Sequence, residues 1–184
     1  AQLSHARTQL AKLADRTRGL KAAIFADTPL AAGLCSLLAE LGLKPVLVGL
    51  RDRSLGGREE FLRVLQKDGI QLPDDVEILE DPALKTVQER LVDWIVERGL
   101  QCVFGSSVEL NLFSAWTPDE IMRLVDRPDG AAGGPGLFAL EIGFPSTGYH
   151  LTHADPFMGF GGAVALAQRI LQAGQRHALG FWLC

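Results

Sequence analysis

The chain is expected to fold as an α/β protein: a doubly wound parallel sheet in a three-layer αβα arrangement. Three observations predict this. Short apolar runs alternate with longer segments whose apolar residues recur every three to four positions. Glycine, proline or acidic turns separate the two kinds of segment. Five or six strand-like runs follow one another with a helix between each pair, the order that gives parallel strands with crossover helices.

Residues 1–18 place Leu3, Ala6, Leu10 and Leu13 on one narrow helical stripe, ended by Gly19. Lys21–Ala26 (KAAIFA) reads as a buried strand. Asp27-Thr28-Pro29 then supplies two candidate caps and a proline suited to a first helical turn. Leu30, Leu34, Leu37, Leu38 and Leu41 line the following helix, and Gly42 stops it. Val46-Leu47-Val48 is the second strand. Arg58–Lys67 is helical, with Phe61, Leu62 and Leu65 as its buried face. Val76–Leu79 is the third strand, and Leu84, Val87, Leu91 and Ile95 carry a helix closed by Gly99. Cys102-Val103-Phe104 is the fourth strand, ending in Gly105-Ser106-Ser107. Thr117-Pro118-Asp119-Glu120 fits a capping box opening a short helix to about Val125. Residues 127–136 form a Gly/Pro-rich excursion, Leu137–Ile142 the next strand, and a final helix runs from Gly161 or Gly162 to about Ala173. Residues 1–20 are thus read as a leading helix and 21–184 as one domain.

Composition narrows the function classes. The 184 residues are 47% hydrophobic and 22% charged, enough for an ordinary core. A formal charge of -4 lacks the basic excess of a general nucleic-acid binder. No apolar run approaches the ~20 residues of a membrane helix, so a soluble, cytoplasmic protein without membrane or nucleic-acid partners is expected. Cys35, Cys102 and Cys184 lie far apart with no C-x-x-C pair, which excludes a disulfide framework or a closed zinc site. Cys35 and Cys102 sit in apolar runs and read as small buried hydrophobes.

In an open parallel sheet, ligands bind beyond the carboxyl ends of the strands. No G-x-G-x-x-G fingerprint is present, and Asp27 reads first as a helix cap. Gly105, Ser106 and Ser107 can offer backbone N–H groups and hydroxyls to an anion at a helix start, or simply begin the helix. Glu109, just beyond, is either a polar contact or a solvated charge. Residues 143–160 (GFPSTGYHLTHADPFMGF) carry Tyr149, His150, His153 and Asp155 directly after a strand. Imidazoles suit borderline metals and titrate near neutrality, so His150 and His153 are candidate metal ligands.

Three blocks in order resemble a known family. LKAAIFADTPLAAGLCSLLAELGLKPVLVG is similar to a strand, acidic turn and helix pattern at Asp27, Leu30, Gly33, Leu34, Leu38, Glu40, Leu41, Gly42, Pro45 and Val46. QCVFGSS is similar to a "G-x-S" strand end at Gly105 and Ser107. IGFPSTGYHLTHADPFMGFGG resembles an "I-G-[FI]-P … G-[YF]-x-G" block at Ile142, Gly143, Phe144, Pro145, Gly159, Phe160 and Gly162. Together they resemble the C-terminal Rossmann-like part of nitrogenase component 1-type subunits. That family spans nitrogenase molybdenum-iron proteins, their cofactor-assembly scaffolds and the dark-operative chlorophyll-biosynthesis reductases.

The resemblance implies a domain of a nitrogenase-like oxidoreductase or of an iron-molybdenum cofactor scaffold, a fragment or C-terminal domain of a larger subunit. It implies one wall of a metallocofactor pocket and part of a subunit interface, the cofactor being iron-molybdenum or a related iron-sulfur cluster held in the full assembly. Partners would be a sister subunit of a heterodimer or heterotetramer and an ATP-dependent iron-sulfur reductase. In the family's catalytic subunits a histidine five residues after the block's proline ligates molybdenum, and His150 follows Pro145 by that spacing. The Gly-Phe-Pro form is more similar to scaffold or β-type subunits, in which such a histidine orders a loop or an interface. The isolated chain is expected to carry no cluster and no turnover. A different class stays open: a small-ligand module binding phosphate or a nucleotide sugar at Gly105, Ser106 and Ser107.

Overall fold

The computed structural model describes residues 8, 10–11, 14–52, 56–114, 138–142 and 159–178. Its centre is β1 (Lys21–Ala26), buried at every position after Lys21. A strand buried on both faces reads as a continuous apolar run because each face meets a separate core. Ala22, Ile24 and Ala26 enter one core, Ala23 and Phe25 the other. β2 (Lys44–Leu50), β3 (Glu77–Glu80), β4 (Cys102–Gly105) and β5 (Phe138–Glu141) complete a five-stranded sheet in the order β3-β2-β1-β4-β5. All four pairings are parallel.

Helices cover both faces, as expected. α1 (Thr28–Glu40), α2 (Gly57–Lys67) and α5 (Gly159–Ala178) pack on one core. α3 (Leu84–Val96) and α4 (Ser107–Ser114) supply the other, through Val87, Leu91, Trp94, Ile95 and the half-buried Leu112. The fold is therefore doubly wound and Rossmann-like. Cys35 and Cys102 lie fully within the first core, in the role of small apolar side chains.

Local chemistry sets the boundaries. α1 begins where the Asp27 carboxylate accepts the Leu30 N–H at 2.9 Å, and Pro29 occupies a position with no helical acceptor to lose. It ends at Gly42, whose φ of +72° suits a residue without a Cβ. Gly42 N–H bonds to Ala39 O at 3.0 Å and Leu43 N–H to Leu38 O at 2.9 Å, the paired return bonds of a left-handed helix stop. The leading segment is tied to the same turn. Thr17 Oγ1 donates to Leu41 O at 2.6 Å, and Gly19 N–H to Gly42 O at 2.7 Å.

β2 carries a bulge. Ala22 pairs with Pro45 but Ala23 pairs with Leu47, so Val46 is an extra residue. Val46 and Leu47 consequently both enter the second core. Proline is tolerated here because the ladder is already interrupted.

One carboxylate anchors α3. Glu77, at the start of β3, receives the Arg90 guanidinium, the Trp94 indole N–H at 3.1 Å and the Arg98 guanidinium at 3.6 Å. These three donors are four residues apart along the helix and just beyond it, one per turn. Arg90 also lies 5.3 Å from the Trp94 ring centroid.

Several expectations are corrected. Leu62 is 40% exposed rather than buried, and Leu84, one of the four residues read as carrying its helix, is 43% exposed. Phe61 and Leu65 already define the stripe of α2, leaving Leu62 on its shoulder, and Leu84 is the first residue of α3. Backbone geometry is the expected reason for a glycine at position 33 of the family pattern, but Gly33 has an ordinary helical backbone, is exposed and would meet nothing within 4 Å if it carried a Cβ. α5 begins at Gly159 and runs to Ala178, outside the expected limits at both ends. The short helix expected at 117–125 and the excursion at 127–136 lie outside the described residues.

Removing the Glu77 carboxylate orphans a buried indole N–H and frees two guanidinium groups. Glu77→Ala is expected to lower the unfolding free energy by about 2 kcal/mol in urea titrations, most of it from the indole. Glu77→Gln, which keeps an acceptor, should lose clearly less.

Candidate functional site at the carboxyl edge of the sheet

The strand order reverses between β1 and β4, so the switch point lies between the β1–α1 turn and the β4–α4 turn. Thr28 forms one wall and Gly105, Ser106 and Ser107 the other, which brings the sequence-predicted serines to the expected place. Thr28, Ser106 and Ser107 are all buried. His150, His153, Tyr149 and Asp155 lie outside the described residues.

The wall at β4 is organised by Glu109, which is 2% exposed and therefore neither solvated nor incidental. Its carboxylate accepts the Ser106 N–H at 2.8 Å and the Ser106 hydroxyl at 2.6 Å. Ser106 Oγ in turn accepts the Val108 N–H at 3.2 Å, and Ser106 O accepts the Leu110 N–H at 3.1 Å. Ser106 is thus the cap of α4 and Glu109 its partner three residues on, a reciprocal capping arrangement. Gly105 is required by the same contact, because a Cβ there would stand 2.8 Å from Glu109 Cβ.

Glu109 also forms an ion pair with Arg51, the residue that follows β2. Arg51 Nη1 donates to Pro82 O at 2.7 Å, and its guanidinium lies 5.5 Å from the Phe25 ring centroid. Its backbone N–H bonds to Ala26 O at 2.9 Å. One side chain therefore connects the carboxyl ends of four strands. Gly49, opposite Phe25, makes room for this: a Cβ there would run into the Phe25 ring. Asp81 turns the chain after β3 with φ +44°, a left-handed value uncommon for a residue with a side chain, and donates its N–H to Leu50 O at 2.7 Å. Farther along the edge, the Ser107 hydroxyl donates to Glu141, and Arg169 donates to Glu141 O at 3.0 Å, fixing α5 to β5.

The electrostatics run against an open anion cradle. Asp27 caps α1, the Glu80 carboxylate receives the Arg58 N–H of α2 at 3.4 Å, and Glu109 takes the N-terminus of α4. Three helix starts at this edge each face a carboxylate of the chain, and helix N-termini favour negative charge. Sequence reading missed both Arg51 and the burial of Glu109. The signal for Glu109 was present as Ser106-x-x-Glu109, the same capping pattern noted at Thr117. Nothing local marked Arg51, whose partner is 58 residues away.

Soft-metal chemistry finds no ligands among the described residues. No cluster of three or more His, Cys, Asp or Glu there can hold a metal. Burial pushes the Cys35 thiol from its ordinary 9.0 up to about 12 and raises that of Cys102 as well. Both stay protonated at neutral pH, whereas a cluster ligand must be a thiolate. Thr28 Oγ1 is buried without a hydrogen-bond partner, but a hydroxyl is a hard donor. The described residues therefore do not fit an iron-sulfur cluster.

Fold and site together define a doubly wound α/β domain whose switch point is closed by its own charged residues. The chain belongs to the nitrogenase component 1 type oxidoreductase family, whose model matches residues 1–174. Among solved structures it is similar to one described as nitrogenase Cp1 at pH 6.5, with a TM-score of 0.65 and 18% identity over 98% of this chain and 34% of that one. It is also similar to nitrogenase Cp1 at pH 5, with a TM-score of 0.54 and 13% identity over 100% of this chain and 36% of that one. At such identities the likeness is one of fold. The chain spans about a third of the length of those structures. A comparison with curated protein sequences returns no match. No helix among the described residues is long and apolar enough to cross a membrane.

Two outcomes follow from this geometry. Arg51→Ala leaves the Glu109 carboxylate buried and unpaired, and should cost about 3 kcal/mol of stability in urea unfolding. The pair Arg51→Met with Glu109→Leu should recover most of it. The raised thiol of Cys35 means that folding disfavours its thiolate. Stability should hold below pH 9.0 and fall as pH rises from there toward about 12, since the unfolded chain releases its proton first. Urea midpoints at stepped pH check this, and Cys35→Ala should flatten the slope.

Proposed function

We propose that this chain is a domain of a nitrogenase-like oxidoreductase or of a cofactor-assembly scaffold, contributing one wall of a metallocofactor pocket and part of a subunit interface. The family match running unbroken over residues 1–174 carries this reading. Within it, His150 is the candidate ligand to an iron-molybdenum or related iron-sulfur cofactor, and His153 a second candidate. The sequence puts both beyond β5, on the segment leaving the carboxyl edge. An imidazole from that segment is chemically suited to the metal, whereas the thiols and hydroxyls described above are not.

Electrons would come from an ATP-dependent iron-sulfur reductase and the remaining pocket walls from a sister subunit. The chain itself contributes a rigid sheet edge, fixed by Arg51, Glu109, Ser107 and Glu141, from which the His150 segment departs. The other reading, a phosphate or nucleotide-sugar module at Gly105, Ser106 and Ser107, has less support because Glu109 already engages the Ser106 donors.

Anoxic purification followed by iron and molybdenum quantification tests the proposal. The chain as purified should carry neither metal. Incubation with isolated iron-molybdenum cofactor in the presence of the sister subunit should give stoichiometric uptake that His150→Ala abolishes while leaving the thermal midpoint unchanged. A folded complex with the sister subunit that takes up no cofactor, or takes it up equally without His150, would remove the ligand role.

A further inference from the structure

We infer that the switch-point crevice of this chain is filled by its own side chains, with the Glu109 carboxylate standing where other doubly wound domains receive a phosphoryl group and Arg51 serving as its counter-cation. The domain therefore takes no nucleotide or other phosphorylated ligand at the crevice. The inference does not depend on the cofactor reading.

The side-chain donors on the β4 side that a phosphate would use are already committed, and of the crevice hydroxyls named above only that of Thr28 lacks a partner. The Ser106 N–H and hydroxyl both go to Glu109 Oε2, and the Ser107 hydroxyl goes to Glu141. Arg51 spends Nη1 on Pro82 O and Nη2 on Glu109. The Glu109 side chain is 3% exposed and that of Arg51 25%, so the pair is sheltered on the carboxylate side and little screened there. Thr28, at the start of α1 across the switch point, is 1% exposed. An entering phosphate would have to expel a buried carboxylate from its only described cation. The close approach that Gly105 permits is used by Glu109 Cβ, not left for a ligand.

The same geometry says what removal of the carboxylate would expose. Three donors, the Ser106 N–H, the Ser106 hydroxyl and Arg51 Nη2, would then converge on a space the size of one carboxylate. Glu109→Ala should accordingly become responsive to formate.

Thermal unfolding of the whole chain tests this, with formate compared against chloride at equal ionic strength, and pyrophosphate and ATP titrated onto the wild type. The wild type is expected to show no midpoint shift with pyrophosphate, ATP or formate beyond that of chloride. Glu109→Ala should lose several degrees and regain part of them in formate but not in chloride, and the further change Arg51→Met should abolish that response. Saturable binding of pyrophosphate or ATP by the wild type, lost in Ser106→Ala, would overturn the inference. So would a folded Glu109→Ala chain indifferent to formate. Should Glu109→Ala not fold, the wild-type titrations decide alone.

Discussion

A single buried negative charge organises the carboxyl edge of this sheet. A carboxylate as enclosed as that of Glu109 needs polar partners, since an isolated buried charge is costly. Ser106 and Arg51 are those partners, and each is itself fixed by that duty. Ser106 becomes the cap of α4, and Arg51 is drawn across Phe25 toward β4. Gly49 and Gly105 then follow as steric consequences, because each lies where a Cβ would collide with a member of this group. Even the left-handed Asp81 belongs to the same account, since it sets the turn whose Pro82 carbonyl receives Arg51.

Much of the fold was legible because it rests on local patterns. The runs KAAIFA and CVF are apolar on consecutive residues because β1 and β4 are covered on both faces, and that pattern does not depend on knowing the neighbours. Gly42 and Gly99 marked helix ends through a backbone requirement that is equally local. The fold class and family were also legible, carried by motif order along the whole chain. What escaped was set by tertiary contact. Leu62 looked as buried as Leu65, and only the direction of the neighbouring helix decides between them. Trp94 gained its place through Glu77, 17 residues earlier, and no periodicity announces such a pair.

The site was legible in position more than in chemistry. Gly105, Ser106 and Ser107 were placed at the carboxyl end of the fourth strand, and they stand there; that this end lies at the switch point follows from the strand order. Their partners were not foreseeable from spacing, with the exception of Glu109, whose capping pattern was present in the sequence. Two elements of the architecture thereby separate. The interior of the crevice holds the Arg51–Glu109 pair, and the proposed cofactor ligands are drawn from residues beyond β5 in sequence. A closed crevice and a rigid rim are compatible features, because each internal charge pair that excludes a ligand also immobilises the backbone around it.

The bulge in β2 has a consequence for length variation in this family. Val46 is the extra residue, and everything after it is displaced by one position relative to β1. Closing the bulge with every residue kept would pair Ala23 with Val46 and Ala26 with Gly49, and would bring Leu50 to the place that Arg51 holds. Glu109 would then lose its counter-cation to an apolar side chain. Deleting Val46 instead would leave the pairs after it as they are and keep Arg51 in position. The number of residues in β2 is thus tied to its bulge, and sequences that straighten the strand should be found to keep the ion pair only where they are one residue shorter.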